Sequence, residues 1–90
     1  MQAMEIKTRV RSFIAESILM TGNVSFGDDD SLLERNVLDS LAVLDLTEFL
    51  QAEYGIKIEN DELLPENLDT LNRIAAFVER KLERKQGGRS

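Results

Sequence analysis

The sequence predicts an all-α domain: a four-helix bundle with three longer helices, one short helix and a long loop after the first. Three observations carry this expectation. Apolar residues recur at roughly 3.6-residue spacing in separate segments. Residues that start or stop helices bound those segments. The alternating run "IKIEN" has no second run to pair with, so it reads as an extended link rather than a strand.

The first helix runs from Glu5 to about Ile18, with Ile6, Val10, Phe13, Ile14 and Ser17/Ile18 on one face. "TGNVSFGDDD" then breaks the pattern with two glycines, an asparagine and an acidic run. A connection this long must pack apolar residues of its own to stay ordered, and Val24, Phe26, Leu32 and Leu33 are available. Within it, "SLLE" matches a capping box, Ser31 with Glu34, and predicts a single helical turn. The second helix runs from Asp39 or Ser40 to Tyr54 and stops at Gly55, a candidate left-handed cap. Its core stripe is Val43, Leu46, Leu50 and Tyr54, with Phe49 alongside. Asn60, Asp61 and Glu62 cap a short third helix that ends near Pro65. Asp69 or Thr70 starts the last helix, whose core face is Leu71, Ile74, Ala75, Val78 and Leu82. Residues 1–84 form a single domain, and 85–90, "KQGGRS", a flexible polar tail.

Composition narrows the function. A chain of 90 residues is one small domain. Its 42 % hydrophobic and 31 % charged residues suit a globular protein with a polar surface. No apolar run approaches the ~18 residues that cross a membrane, and no signal segment opens the chain, so a cytoplasmic protein is the simplest expectation. The absence of cysteine excludes disulfides and thiolate chemistry. The absence of histidine removes the commonest general base and most zinc sites. A formal charge of −6 argues against nucleic acid and favours basic protein surfaces. An enzyme working with its own side chains is therefore disfavoured. Asp28-Asp29-Asp30 lacks the glycine and spaced glutamate of a calcium loop and reads as an exposed turn, so no metal site is expected. Glu79, Arg80, Lys81, Glu83, Arg84 and Lys85 read as a solvated helix end.

"NVLDSLAVLDL" offers more chemistry than a helix start requires. Asp39 and Ser40 both suit an N-cap, and one cap is enough. Either Ser40 caps, or Asp39 caps and Ser40 Oγ projects to solvent. In the second case a phosphate ester on Ser40 would sit at the positive end of the helix. Residue physics leaves both open. Leu41, Leu44, Asp45 and Glu48 share a second stripe of this helix. Either the leucines widen the core face, or they are apolar anchors ringed by acids that dock a basic partner.

The segment "LLERNVLDSLAVLDLTEFLQAEYGIKI" resembles the loop and second helix of acyl carrier and peptidyl carrier proteins. The resemblance extends over roughly residues 5–84. It implies that the Asp-Ser-Leu motif, here Asp39, Ser40 and Leu41, carries 4′-phosphopantetheine from coenzyme A on Ser40, with Asp39 as the helix cap. It implies an acyl-carrier-like bundle that is not itself a catalyst. The prosthetic arm supplies the thiol that the polypeptide lacks, and cargo travels as a thioester. The implied partners are a phosphopantetheinyl transferase, an acyl- or aminoacyl-activating ligase, and a downstream acyltransferase or synthase. The implied state is a monomer. Asn36 stands where such carriers usually have glycine, and asparagine also tolerates a left-handed backbone. Ala42, Gln51 and Ala52 stand where fatty-acid carriers have acids. "LDTLNRI" resembles the start of the last helix in stand-alone D-alanyl carriers. The resemblance thus points to a discrete carrier loaded by an adenylate-forming ligase. The alternative is a helical adaptor that uses the Leu41/Leu44 stripe without a prosthetic group. A hydrolase using Ser40 is poorer, because no histidine is present.

Overall fold

A computed structural model of the chain describes residues 2–18, 26–35 and 37–87. Helix α1 spans Gln2–Phe13 and continues as a π-helical turn, Ile14–Ile18. Helix α2 spans Ser40–Tyr54, a 3-10 turn spans Asn60–Glu62, the short α3 spans Pro65–Leu68, and α4 spans Leu71–Gly87. Among the described residues there is no strand, and "IKIEN" leads from α2 as an extended link with Ile56 and Ile58 buried.

The core is built from one face of each long helix. Ile6, Val10 and Ile14 of α1 are fully buried. Leu46 and Leu50 of α2 meet them, as do Leu71, Ile74 and Val78 of α4. Each such side chain contributes about 2 kcal/mol by leaving water. At the end of α1 the bonding widens to i→i+5, which shifts the inward face: Ala15 is buried and Ser17 is exposed, against the simple 3.6-residue reading. On α2 the inward face also takes in Ala42 and Thr47, while Val43, Phe49 and Tyr54 lie half-buried at its edges. Phe49 stacks on Phe13 with centroids 4.4 Å apart. Burial raises the pKa of the Tyr54 hydroxyl.

Pro65 does not end the third helix; it begins it. Proline lacks the N–H that a first helical position leaves unpaired, and its fixed φ suits that position. The Asn60–Glu62 turn is separate and is capped by Glu59 with Glu62 in a capping box. Lys81 of α4 holds the Glu62 carboxylate at 2.9 Å. The Glu59 N–H bond, and then Lys81, keep the Glu62 carboxyl below its usual pKa. Lys81 is thus structural, not merely solvated. Residues 85–87, assigned to a polar tail, continue α4; residues 88–90 lie outside the described residues.

The long connection is anchored at both ends of its described part. Lys7 Nζ donates to Asp28 Oδ2 at 3.0 Å, and Arg11 donates to Asp28 Oδ1 at 2.6 Å. Asn72 N–H donates to the Asp28 carbonyl at 3.1 Å, and the Asn72 amide reaches Asp29. Asp30 accepts from the Gly27 N–H and pairs with Arg35. The three aspartates are therefore spent on these groups. Phe26 and Leu32 enter the core as expected, but Leu33 stays at the surface. Val24 and Asn36 lie outside the described residues.

The Lys7 bond, with Arg11, holds the Asp28 carboxyl below the usual carboxylate range. A depressed folded pKa means that this contribution is present above the unfolded pKa and is lost as pH falls through the lower folded value. Because Asp28 is partly exposed, screening limits it to about 1 kcal/mol. Asp28→Asn should lower the thermal midpoint at about pH 7 and narrow its gap to the midpoint at about pH 3. An unchanged gap in scanning calorimetry would refute the clamp.

Candidate functional site

Asp39, not Ser40, caps α2. Its backbone is extended, at φ −114° and ψ −170°, and its Oδ1 accepts from the Ala42 N–H at 2.8 Å. The first backbone bond of the helix runs from the Val43 N–H to the Asp39 carbonyl at 2.9 Å. The N–H groups of Ser40 and Leu41 precede it, so the positive end of the helix lies at Ser40. Ser40 is exposed, and among the described residues none bonds its Oγ. An open hydroxyl at a helix N-terminus fits a phosphodiester: the ester meets no packed neighbour and an anion is favoured there. At the other end Gly55 closes α2 at φ 66°, a conformation that glycine adopts without strain, and donates to the Gln51 carbonyl.

The second stripe of α2 does not widen the core. Leu41 is 74 % exposed and Leu44 49 %, and Asp45 and Glu48 are exposed beside them. These four residues occupy about 100° of the helix circumference. Two of the positions where acids are missing have structural reasons. Ala42 is buried, where a carboxylate would lose water. Gln51 Oε1 turns inward to accept from the Ile58 N–H at 2.9 Å, which pins the link to α2. Of the three, Ala52 is the one on the surface.

On the other edge of α2, an apolar groove of about 140 Å³ opens between Val43 and α3. Leu33, Leu38, Leu63, Leu64, Pro65 and Leu68 complete its lining. Ser40 lies about 60° around the helix from Val43, so it stands at the rim. Sequence reading missed this groove. Its signal was the apolar doublet Leu63-Leu64 before Pro65, which no helix face in the sequence accounts for. Of the two candidate starts of α4, Asp69 and Thr70, the second is the cap. Thr70 Oγ1 caps α4 by accepting from the Arg73 N–H at 3.0 Å, and the Asp69 side chain instead binds Ser31 and the Leu33 N–H. Asn72 binds the loop at Asp28 and Asp29. Three residues of "LDTLNRI", Asp69, Thr70 and Asn72, thus have roles in the fold.

The fold is all-helical and presents an exposed serine, without a bonding partner among the described residues, at the start of its second helix. The sequence pattern described as "Phosphopantetheine attachment site" matches residues 8–78. The chain is similar to the probable acyl carrier protein PigG of Serratia sp., with 31 % identity over 84 residues, covering 92 % of this chain and 97 % of that one. It is similar also to the acyl carrier protein of Thermotoga maritima, with 30 % identity over 78 residues, covering 87 % and 93 %. The chain belongs to the phosphopantetheine-bearing acyl carrier family. Its members are carriers rather than catalysts, bear covalent 4′-phosphopantetheine, and work with a phosphopantetheinyl transferase and synthases. No helix among the described residues is long and apolar enough to cross a membrane.

The cap assignment separates the two residues by experiment. Asp39→Ala should cost about 1 kcal/mol in chemical denaturation, the usual loss of a capping carboxylate. Ser40→Ala should stay within about 0.5 kcal/mol of wild type, as an exposed residue without a partner does. A reversed order would show that Ser40 is the cap.

Proposed function

We propose that Ser40 is the attachment point of the 4′-phosphopantetheine arm and that the chain carries an acyl or aminoacyl group on it as a thioester. The observation that supports this most directly is the free Ser40 hydroxyl beside a cap already supplied by Asp39. The thiol of the arm replaces the chemistry that a chain without cysteine and histidine lacks. Tethering would raise cargo concentration near the active site of a docked enzyme.

Leu41, Leu44, Asp45 and Glu48 form the docking surface in this reading. Two exposed leucines would give a partner its apolar contact, and the two acids would set orientation against a basic rim. The narrower proposal is a discrete cytoplasmic, monomeric carrier loaded by an adenylate-forming ligase, rather than a fatty acid synthase carrier. The surface residue Ala52, where fatty-acid carriers have an acid, supports it. The adaptor alternative uses the same surface, but a prosthetic group is the family's defining feature.

Incubation with coenzyme A, Mg²⁺ and a phosphopantetheinyl transferase should add one phosphopantetheine by intact mass, and Ser40→Ala should add none. Addition to the Ser40→Ala variant would move the site elsewhere. For the loading route, the holo protein in an extract of its source cells should acquire its thioester only with ATP and free acid. A thioester that forms from acyl-coenzyme A without ATP would overturn the ligase reading. Leu41→Ala with Leu44→Ala should slow loading about tenfold or more through KM, as loss of apolar anchors does. An unchanged KM would remove these residues from the interface.

A further inference from the structure

We infer that Asp69, at the junction of α3 and α4, is a positioning residue for Ser40. The inference rests on Ser40 as the attachment serine. Asp69 Oδ1 accepts from Ser31 Oγ at 2.7 Å and from the Leu33 N–H at 3.1 Å. The Asp69 carbonyl accepts from the Leu32 N–H at 2.7 Å. One residue thus fixes three consecutive residues of the long connection. Leu32 passes the constraint on: its carbonyl accepts from the Val37 N–H at 2.8 Å and the Leu38 N–H at 3.2 Å, and its side chain is fully buried. Leu38 is buried as well and is followed directly by the cap, Asp39.

The Asp69 side chain holds Ser31 and Leu33, the neighbours on either side of Leu32, and the relay runs from these through Leu32 and Leu38 to the cap that holds the first turn of α2. Asp69 is free for this because Thr70 caps α4. Asp39 accepts from the Ala42 N–H only while its own backbone stays extended. Holding residues 37 and 38 keeps it so. Without the Asp69 side chain, Ser31 and Leu33 come loose on either side of Leu32, which keeps only its bond to the Asp69 carbonyl; the approach to α2 is then held less tightly, and Ser40 is presented from a turn that frays more readily. A reacting hydroxyl displaced by about 1 Å loses on the order of a hundredfold in rate, so presentation matters more than the small change in fold stability.

The test compares wild type with Asp69→Ala, Asp69→Asn and Ser31→Ala, and with Val78→Ala as a core control that touches none of these bonds. The readouts are kcat and KM for phosphopantetheine addition, hydrogen exchange at the Ala42 amide, and the thermal midpoint. Asp69→Ala should lose about tenfold or more in kcat/KM, and its Ala42 amide should exchange faster. Asp69→Asn should recover most of both, because its amide oxygen still accepts from Leu33 and Ser31. Ser31→Ala should fall between and serves if Asp69→Ala does not fold. Val78→Ala should lower the midpoint and leave kcat/KM at the wild-type value. Folded Asp69→Ala modified at the wild-type rate would overturn this inference alone. So would a Val78→Ala loss as large as that of Asp69→Ala. A wild type that stays unmodified would overturn the Ser40 reading and this inference together.

Discussion

Two carboxylates tie the connection between α1 and α2 to the bundle. Asp28 is held by Lys7 and Arg11 from α1, and its carbonyl by Asn72 from α4. Asp69 holds Ser31, Leu32 and Leu33 from the other side of α4's first turn. A chain of 90 residues has little core to spare for a long connection, and an untethered segment would cost conformational entropy without return. Phe26, Leu32 and Leu38 repay part of that cost by entering the core. The charged contacts decide where on the bundle they enter. The start of α2 and the groove beside it follow from that placement.

Helix α2 divides its surface among three tasks. Ala42, Leu46 and Leu50 face the core. Val43 and the residues of the α3 segment line the groove. Leu41, Leu44, Asp45 and Glu48 face solvent. Two of its polar side chains are used within the fold: Thr47 bonds back to the Val43 carbonyl and Gln51 reaches Ile58. Non-acidic residues at 42 and 51 follow from burial and from a backbone bond, so they say little about which enzymes dock. The exposed leucines remain the informative residues.

Much of the fold was legible because it depends on local rules. Periodicity placed the three long helices, Gly55 marked the end of α2, and the Asp39-Ser40 pair marked its start. What misled was local chemistry with two possible uses. Pro65 can follow a helix or open one, and only the path of the chain over α4 selects the second. Asp69 and Thr70 are both caps by residue type; Thr70 took the cap because Ser31 and Leu33 arrive beside Asp69. At α1 a π-helical turn broke the periodicity that placed Ser17 inward.

By itself, the sequence determined that the chain is helical, that it lacks the residues for most catalysis, and that one serine stands at a helix start. These follow from residue type and from spacings of a few positions. It determined neither which of Asp39 and Ser40 is the cap nor whether Leu41 and Leu44 are buried. The tertiary structure decided both: the cap depends on where the tethered approach through Leu38 turns into helix, and the exposure of the leucines on how far α2 is rotated about its axis by packing against helices distant in sequence. The groove beside Ser40 belongs to the same category. Its walls come from residues 33 to 68 and meet only when Asp69 and Lys81 have drawn the loop and the α3 segment onto α4.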